Sequence, residues 1–310
     1  MKKPTLTIGI PAYNEEANID HLLRALLADT SKRVAIKEII VVSDGSTDAT
    51  VARARSIRDR RIRVLDRRVR RGLSETENEI VRRAKGDVLI LLDADVIPMQ
   101  KNFLDSITMP IRVDQSIGCV GAETIPLPPR NLFERVIANS HYMKRHLYRQ
   151  IGRGHNVYLC HGRGRAFSRR LYRQLHWPDN CPEDAYSYFV CKSLGLKFVY
   201  AANAGVYFRS PTVLPEHALQ STRFTAGIRR LKGLFNPDFV RREYSIPKSL
   251  LLKTLILYLY RNPFSTPVYL VLTLYVRFAF SDATIYRSRF KVASSSKRVV
   301  LYKGQKLSRV

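Results

Sequence analysis

The stretch "KGDVLILLDADVIP", residues 85 to 98, decides how the rest of the chain is read. Its centre, Val88 to Leu92, is an unbroken run of Val, Leu and Ile, with the length and composition of a strand buried on both faces. The run stops at two aspartates, Asp93 and Asp95, separated by one residue. In continued extended backbone both carboxylates point to the same face. Like charges at that spacing repel unless something positive lies between them.

Working outward, "TLTIGIPAY" (5 to 13), "IKEIIVVSD" (36 to 44) and "IRVLD" (62 to 66) have the same character: short, apolar and rich in β-branched residues. "NEEANIDHLLRALLAD", "STDATVARARSIRD" and "SETENEIVRRAKG" lie between these runs. Each has helical periodicity and an Asn, Asp or Ser near its start that suits capping. Strand and helix in alternation predict an α/β fold, a mainly parallel sheet flanked by helices. The ligand site is then expected in the loops at the carboxyl ends of the strands. Four polar clusters fall there: "YNEE" (13 to 16), "SDGSTD" (43 to 48), "RRGLSE" (70 to 75) and "DAD" (93 to 95). Any one of them alone is ordinary turn and capping chemistry; their shared position makes them a candidate site.

Further along, "NLFERVIANSHYMKRHLYRQ" (131 to 150) reads as a basic amphipathic helix. "CPEDAYSYFVCKSLGLKFVYAANAGVYF" (181 to 208) reads as a helix opening at "PED" followed by a pair of strands. Residues 1–210 are therefore expected to form one α/β unit that carries the candidate site. Residues 211–248 are basic and amphipathic, as in helices that lie on an anionic bilayer surface. Residues 249–280 are strongly apolar but interrupted by Lys253, Arg261, Pro263 and Pro267, so neither half reaches the ~20 residues of an ordinary spanning helix. Short interfacial or re-entrant helices fit that pattern, and so do core helices of a soluble domain. Residues 281–310 form a basic tail, read as poorly packed or membrane-apposed.

The chain carries 53 Lys and Arg against 26 Asp and Glu, a formal charge of +27, and that field calls for a polyanionic partner. Nucleic acid, lipid headgroups and diphosphates all qualify by charge. Zinc-finger spacing and RNA-binding aromatic motifs are both missing, so nucleic acid is not the expected partner, and an anionic membrane surface is. The four cysteines include no C-x-x-C pair, which points to reduced thiols and away from a structural zinc. No apolar core of signal-peptide length precedes Pro11, so no secretory signal is expected.

"PAYNEE", "SDGSTD", "RRGLSETENEIVRRAKGD", "LLDAD" and the later "PED" together resemble, in order and spacing, the family 2 inverting glycosyltransferases of the GT-A fold, over about residues 5 to 210. The resemblance implies a Rossmann-like sheet that binds a nucleotide-diphosphate sugar, with Mg2+ or Mn2+ held against the diphosphate by the D-x-D motif. A hard cation preferring oxygen ligands would explain how the two aspartates tolerate each other. By this resemblance Asp95 ligates the metal, and Asp93 holds the ribose or the metal's water shell. Asp44 contacts base or ribose, while Pro11, Tyr13, Asn14 and Glu15 line the nucleotide pocket. Asp184 of the E-D pair is the general base, at a helix start whose positive end favours the ionised carboxylate, and Glu183 stands beside it on the acceptor side.

Gly162 and Gly164 of "HGRGRAF" allow close approach of a sugar or phosphate there. "QSTRF" (220 to 224) resembles the Q-x-x-R-W signature of membrane-embedded polysaccharide synthases, which makes Arg223 a diphosphate contact and Gln220 and Phe224 acceptor contacts. One departure is visible: Arg70 stands where the family often has asparagine. Arg70 and Arg71 then either touch phosphate or are surface arginines.

The expected function is transfer of a sugar to a lipid-linked, polyisoprenyl-phosphate type, or glycan acceptor on the cytoplasmic side of a membrane. A processive polysaccharide synthase and a basic nucleic-acid-binding protein stand as alternatives.

Overall fold

The computed structural model describes residues 3–279 and Val299; the expected basic tail, 281–310, lies outside the described residues apart from Val299. In chain order the elements begin with β1 (Thr5–Ala12), α1 (Ile19–Leu27), β2 (Ala35–Asp44), α2 (Thr50–Ser56), β3 (Ile62–Arg67), α3 (Leu73–Arg83) and β4 (Val88–Leu92). Next come β5 (Ile97–Pro98), α4 (Phe103–Val113), β6 (Ile117–Pro126), α5 (Leu132–Gln150), β7 (Gly164–Ser168) and α6 (Arg169–Tyr172). α7 (Glu183–Ser193), β8 (Lys197–Phe208), α8 (Leu214–Lys232), α9 (Pro237–Glu243), α10 (Lys248–Arg261) and α11 (Ser265–Ala279) complete the described chain.

One sheet runs in the order β3-β2-β1-β4-β7-β6-β8-β5. Its first four strands are mutually parallel, and β7 joins β4 antiparallel, with Gly164 opposite Leu92. The chain winds outward from β1 to β3 and returns on the other side of β1 as β4. The carboxyl ends of β1 and β4 therefore flank the point where the winding reverses, the usual ligand crevice of such sheets. Every residue of β4 is buried, and Leu6, Ile8, Ile10, Ile90 and Leu92 belong to one core cluster.

Local chemistry departs from expectation in two places. The N-caps of α1, α2 and α3 are Asn18, Ala49 and Gly72, and none of the three caps its helix with its own side chain. The polar side chains near those helix starts are used between loops, as described below. The expected strand pair at 197–208 is one strand, β8. Its register against β6 slips between Ala122 paired with Ala201 and Glu123 paired with Gly205, so Ala202, Asn203 and Ala204 form a bulge. Small residues that read as a turn in the sequence are accommodated as extra residues within a single strand.

α8 and α9, expected on a bilayer surface, bury Leu231 and Val240 in the cluster that also holds Trp177 and Phe189. α10 and α11 pack on α5 through Tyr258 and Tyr269, against Val136, Ile137 and Met143. Among the described residues no helix is long and apolar enough to cross a membrane. The outer faces of these last two helices carry exposed Leu252, Ile256, Tyr260 (87%), Val271, Leu274 and Phe278 (77%), and the turn between them exposes Phe264 (64%).

Candidate active site

A cleft of about 320 Å³ opens at the carboxyl ends of β1, β2 and β4. Pro11, Tyr13 and Glu15 line it from the β1 loop, Asp44 from β2, and Asp93 and Asp95 from the end of β4. Gly162 and Arg163 contribute the wall before β7, Glu183 and Asp184 the start of α7, and Gln220 and Arg223 one face of α8. Asn14, Gly164 and Phe224 are not part of this lining.

The first two loops are knitted together. The Asn14 amide donates to Ser46 Oγ at 3.1 Å, and Asn14 Oδ1 accepts from the Thr47 amide at 2.8 Å. The Glu16 amide donates to Asp48 Oδ2 at 3.1 Å, while Glu16 Oε2 accepts from the Ala49 amide at 3.0 Å. Asn14 adopts a φ of 54°, in the left-handed region that asparagine tolerates better than most residues. It braces the loops instead of lining the pocket. Asp44 is similarly engaged: its two oxygens accept the amides of Arg71 and Gly72, each at 2.7 Å, and Arg67 lies 3.5 Å away. The carboxylate expected on a base or ribose thus anchors the loop that carries Arg70. Gly72 has a φ of 100°, which an L side chain rarely adopts. The Arg70 guanidinium stacks 3.9 Å above the Tyr13 ring and faces the cleft.

Asp93 and Asp95 line the same cleft from the end of β4. Burial, and then the neighbouring Asp95 charge, push the Asp93 carboxyl up to about 6. Among the described residues no group of three or more His, Cys, Asp or Glu side chains converges to enclose a metal. Two hard oxygen donors facing an open cleft fit an ion that takes one or two carboxylates and completes its shell with water and phosphate oxygens.

A Cβ built on Gly162 would stand 4.0 Å from Asp93 Oδ2 and 4.0 Å from the Asp184 Cβ, with nothing closer. Gly162 therefore marks the gap between the D-x-D side and the α7 side. Gly162→Val is expected to fold normally and to fill this gap, and by the sugar transfer that the sequence resemblance implies it should lower the rate about 100-fold or more. Melting temperature and transfer rate measured side by side test this, and an unchanged rate would place the meeting of substrates elsewhere. Gly164, expected on the acceptor side, faces the core instead: its added Cβ would meet Ala122 Cβ at 2.9 Å. Its smallness serves strand packing. Phe224 turns from the cleft, stacks on Tyr158 at 6.5 Å and remains 52% exposed.

Several cleft residues gave no signal in the sequence. Arg165 and Arg209 are both fully enclosed, paired with Glu77 at 2.5 Å and Glu134 at 2.9 Å respectively. His161 also lines the cleft, and burial followed by the Arg163 charge holds its imidazole down at about 4. The Arg163 guanidinium lies 3.7 Å over Phe208. The three arginines each depend on a partner distant in sequence, so no local pattern marks them.

The family model described as glycosyl transferase family 2 matches residues 7–175. The chain belongs to this family. As a family 2 glycosyltransferase, it is 30% identical over 99 residues to a dolichol-phosphate mannosyltransferase of Mycosarcoma maydis, covering 30% of this chain and 34% of that protein. It is 36% identical over 93 residues to the dolichol-phosphate mannosyltransferase of Saccharomyces cerevisiae, covering 29% and 35%. The match thus spans about a third of the length of these curated relatives. Among solved structures, the mannosyltransferase PcManGT of Pyrobaculum calidifontis, in complex with GDP-Man and Mn2+, aligns with a TM-score of 0.57 at 18% identity, over 90% of this chain and 76% of that one. Glucosyl-3-phosphoglycerate synthase of Mycobacterium tuberculosis, in complex with Mn2+, UDP and phosphoglyceric acid, aligns at 0.53 with 24% identity, over 73% and 77%. This family 2 chain therefore has the mixed α/β, Rossmann-like GT-A fold.

Proposed function

We propose that this chain is an inverting, divalent-metal-dependent glycosyltransferase that moves a sugar from a nucleotide-diphosphate donor to a lipid-linked acceptor at a membrane surface. The observation that carries the reading is the convergence on one cleft of Asp93 and Asp95, the Tyr13 and Glu15 loop, and Asp184, with Gly162 leaving the space between them open. The names of the relatives support a lipid-phosphate acceptor, and the neighbours in complex with Mn2+, GDP-Man or UDP support the donor and metal classes.

In this reading Asp95 ligates Mg2+ or Mn2+, with Asp93 beside it. When bound, the ion offsets the charge developing on the departing nucleoside diphosphate. Tyr13 and Glu15 border the nucleotide, and Arg70, stacked over Tyr13 in the same cleft, is placed to face the phosphates. The acceptor enters between Gly162 and α8, bordered by Glu183, Gln220 and Arg223. Its oxygen attacks the anomeric carbon from the face opposite the diphosphate. The carbon–oxygen bond to the diphosphate breaks as the new one forms, and an acceptor proton, where there is one, passes to Asp184.

Purified protein given a panel of UDP- and GDP-sugars with Mn2+ or Mg2+, with products analysed for anomeric configuration, tests the proposal. Inverted product from one donor supports it. Absence of donor binding at every metal concentration, or a retained configuration, overturns it.

The membrane part rests on α10 and α11. Residues 248–279 contain no Asp or Glu, and their cations are Lys248, Lys253, Arg261 and Arg277. Apolar side chains flanked by cations match an anionic interface lying along a helix pair of 14 and 15 residues. The four cysteines are free thiols, in keeping with a catalytic unit on the cytoplasmic side. Flotation with phosphatidylglycerol vesicles is expected to carry the protein upward, and Leu252→Glu together with Phe278→Glu to leave it at the bottom. Equal flotation of the double variant would remove this face from the argument.

A further inference from the structure

Arg165 extends from β7 under the cleft floor, 1% exposed, and its donors reach two helices. Nη2 donates to Glu77 Oε1 of α3 at 2.5 Å; Nη1 donates to the Glu183 carbonyl and to Ser187 Oγ of α7, each at 3.0 Å. The Glu183 carbonyl also accepts from Trp177 Nε1 at 2.9 Å, and Trp177 exchanges backbone hydrogen bonds with the Asn78 side chain at 2.8 and 2.9 Å. Ser74 Oγ donates to the Glu183 carboxylate at 2.9 Å. Ser74, Glu77 and Asn78 are thus three buried polar residues of α3 that all lead to the first turn of α7.

Two features separate this arrangement from ordinary core packing. Burial pushes the Glu77 carboxyl up to about 8, with the Arg165 guanidinium working against that shift, so what fixes this buried group is its hydrogen bond to Arg165. Asp184, by contrast, is held locally, Oδ1 accepting the amide of Ala185 at 2.7 Å. Its aim across the cleft therefore follows the placement of the helix start. We propose that Arg165, gripped by Glu77, is a positioning residue that sets the first turn of α7, and with it the Asp184 carboxylate, relative to Asp93 and Asp95. The inference rests on the proposed reaction, in which Asp184 must come within hydrogen-bond reach of the acceptor. A displacement of about 1 Å there costs on the order of 100-fold in rate.

The test compares Arg165→Lys, Glu77→Gln and the double variant Glu77→Gln/Arg165→Met by melting temperature, kcat, donor KM, and hydrogen–deuterium exchange of the peptide covering 183–187. The double variant leaves no unpaired buried charge and is expected to fold even if Arg165→Met alone does not. Its donor KM is expected to stay within about threefold of wild type while kcat falls about 100-fold. The 183–187 amides should exchange faster, and Arg165→Lys should recover at least tenfold of the lost kcat. A merely structural pair would lower the melting temperature without this split between kcat and KM. A kcat within threefold of wild type, or unchanged exchange at 183–187, overturns the proposal. If wild-type protein transfers no sugar at all, the proposed reaction fails, and the exchange measurement alone decides whether the clamp exists.

Discussion

Asp184→Asn is expected to lower transfer to a hydroxyl acceptor by two to four orders of magnitude, roughly the contribution of a positioned general base. Donor binding in Mn2+ should not change. The isosteric amide keeps the acceptor for the Ala185 amide at the helix start and removes only the ability to take a proton. A phosphate acceptor changes the expectation in an informative way. Its attacking oxygen is already ionised near neutral pH, so it needs no base, and the same substitution should then cost no more than about tenfold. Rates with a hydroxyl acceptor and with a polyisoprenyl phosphate, measured on one preparation, separate these cases. Full activity of Asp184→Asn with both would remove Asp184 from the proton path.

Asp95→Asn should fail in a different manner. On the proposed reading, one of the two carboxylates that would hold the ion is gone, and the charge of the donor diphosphate would be less well offset. Donor affinity and transfer should both fall, transfer by at least about 1,000-fold, a loss in the range seen when charge stabilisation of a leaving group is removed. Chelation of metal from wild-type protein should reproduce the phenotype. Calorimetric titration of donor with and without Mn2+ separates this defect from that of Asp184→Asn. If Asp95→Asn bound donor as wild type does, the D-x-D pair would have no part in holding the diphosphate.

Much of this architecture is legible in residues 5 to 95, because its determinants are local. The five-residue run before Asp93 is a strand buried on both faces, and helical patterns between such runs leave parallel winding as the natural arrangement. The loop residues that converge on the cleft were visible for the same reason: each follows directly on a strand. What could not be read depends on pairing at a distance. Arg165 sits in "GRGRAF" like any surface arginine, and its burial is made tolerable by Glu77, 88 positions earlier, and by acceptors on α7. Asp44 lines the cleft as its place after a strand suggests, but that its oxygens also accept the Arg71 and Gly72 amides depends on a loop 27 residues further on. Phe224 occupies the place of a stacking aromatic in a short motif, yet its orientation is set by Tyr158 and Tyr244, which belong to other parts of the chain.

The hydrogen bonds that tie Asn14 and Glu16 to residues 46–49 have a thermodynamic implication. Both loops are already ordered by their own contacts, so an arriving ligand need not freeze them, and little conformational entropy is lost on that side. Association there should proceed with a small heat-capacity change and nearly the same amide protection before and after.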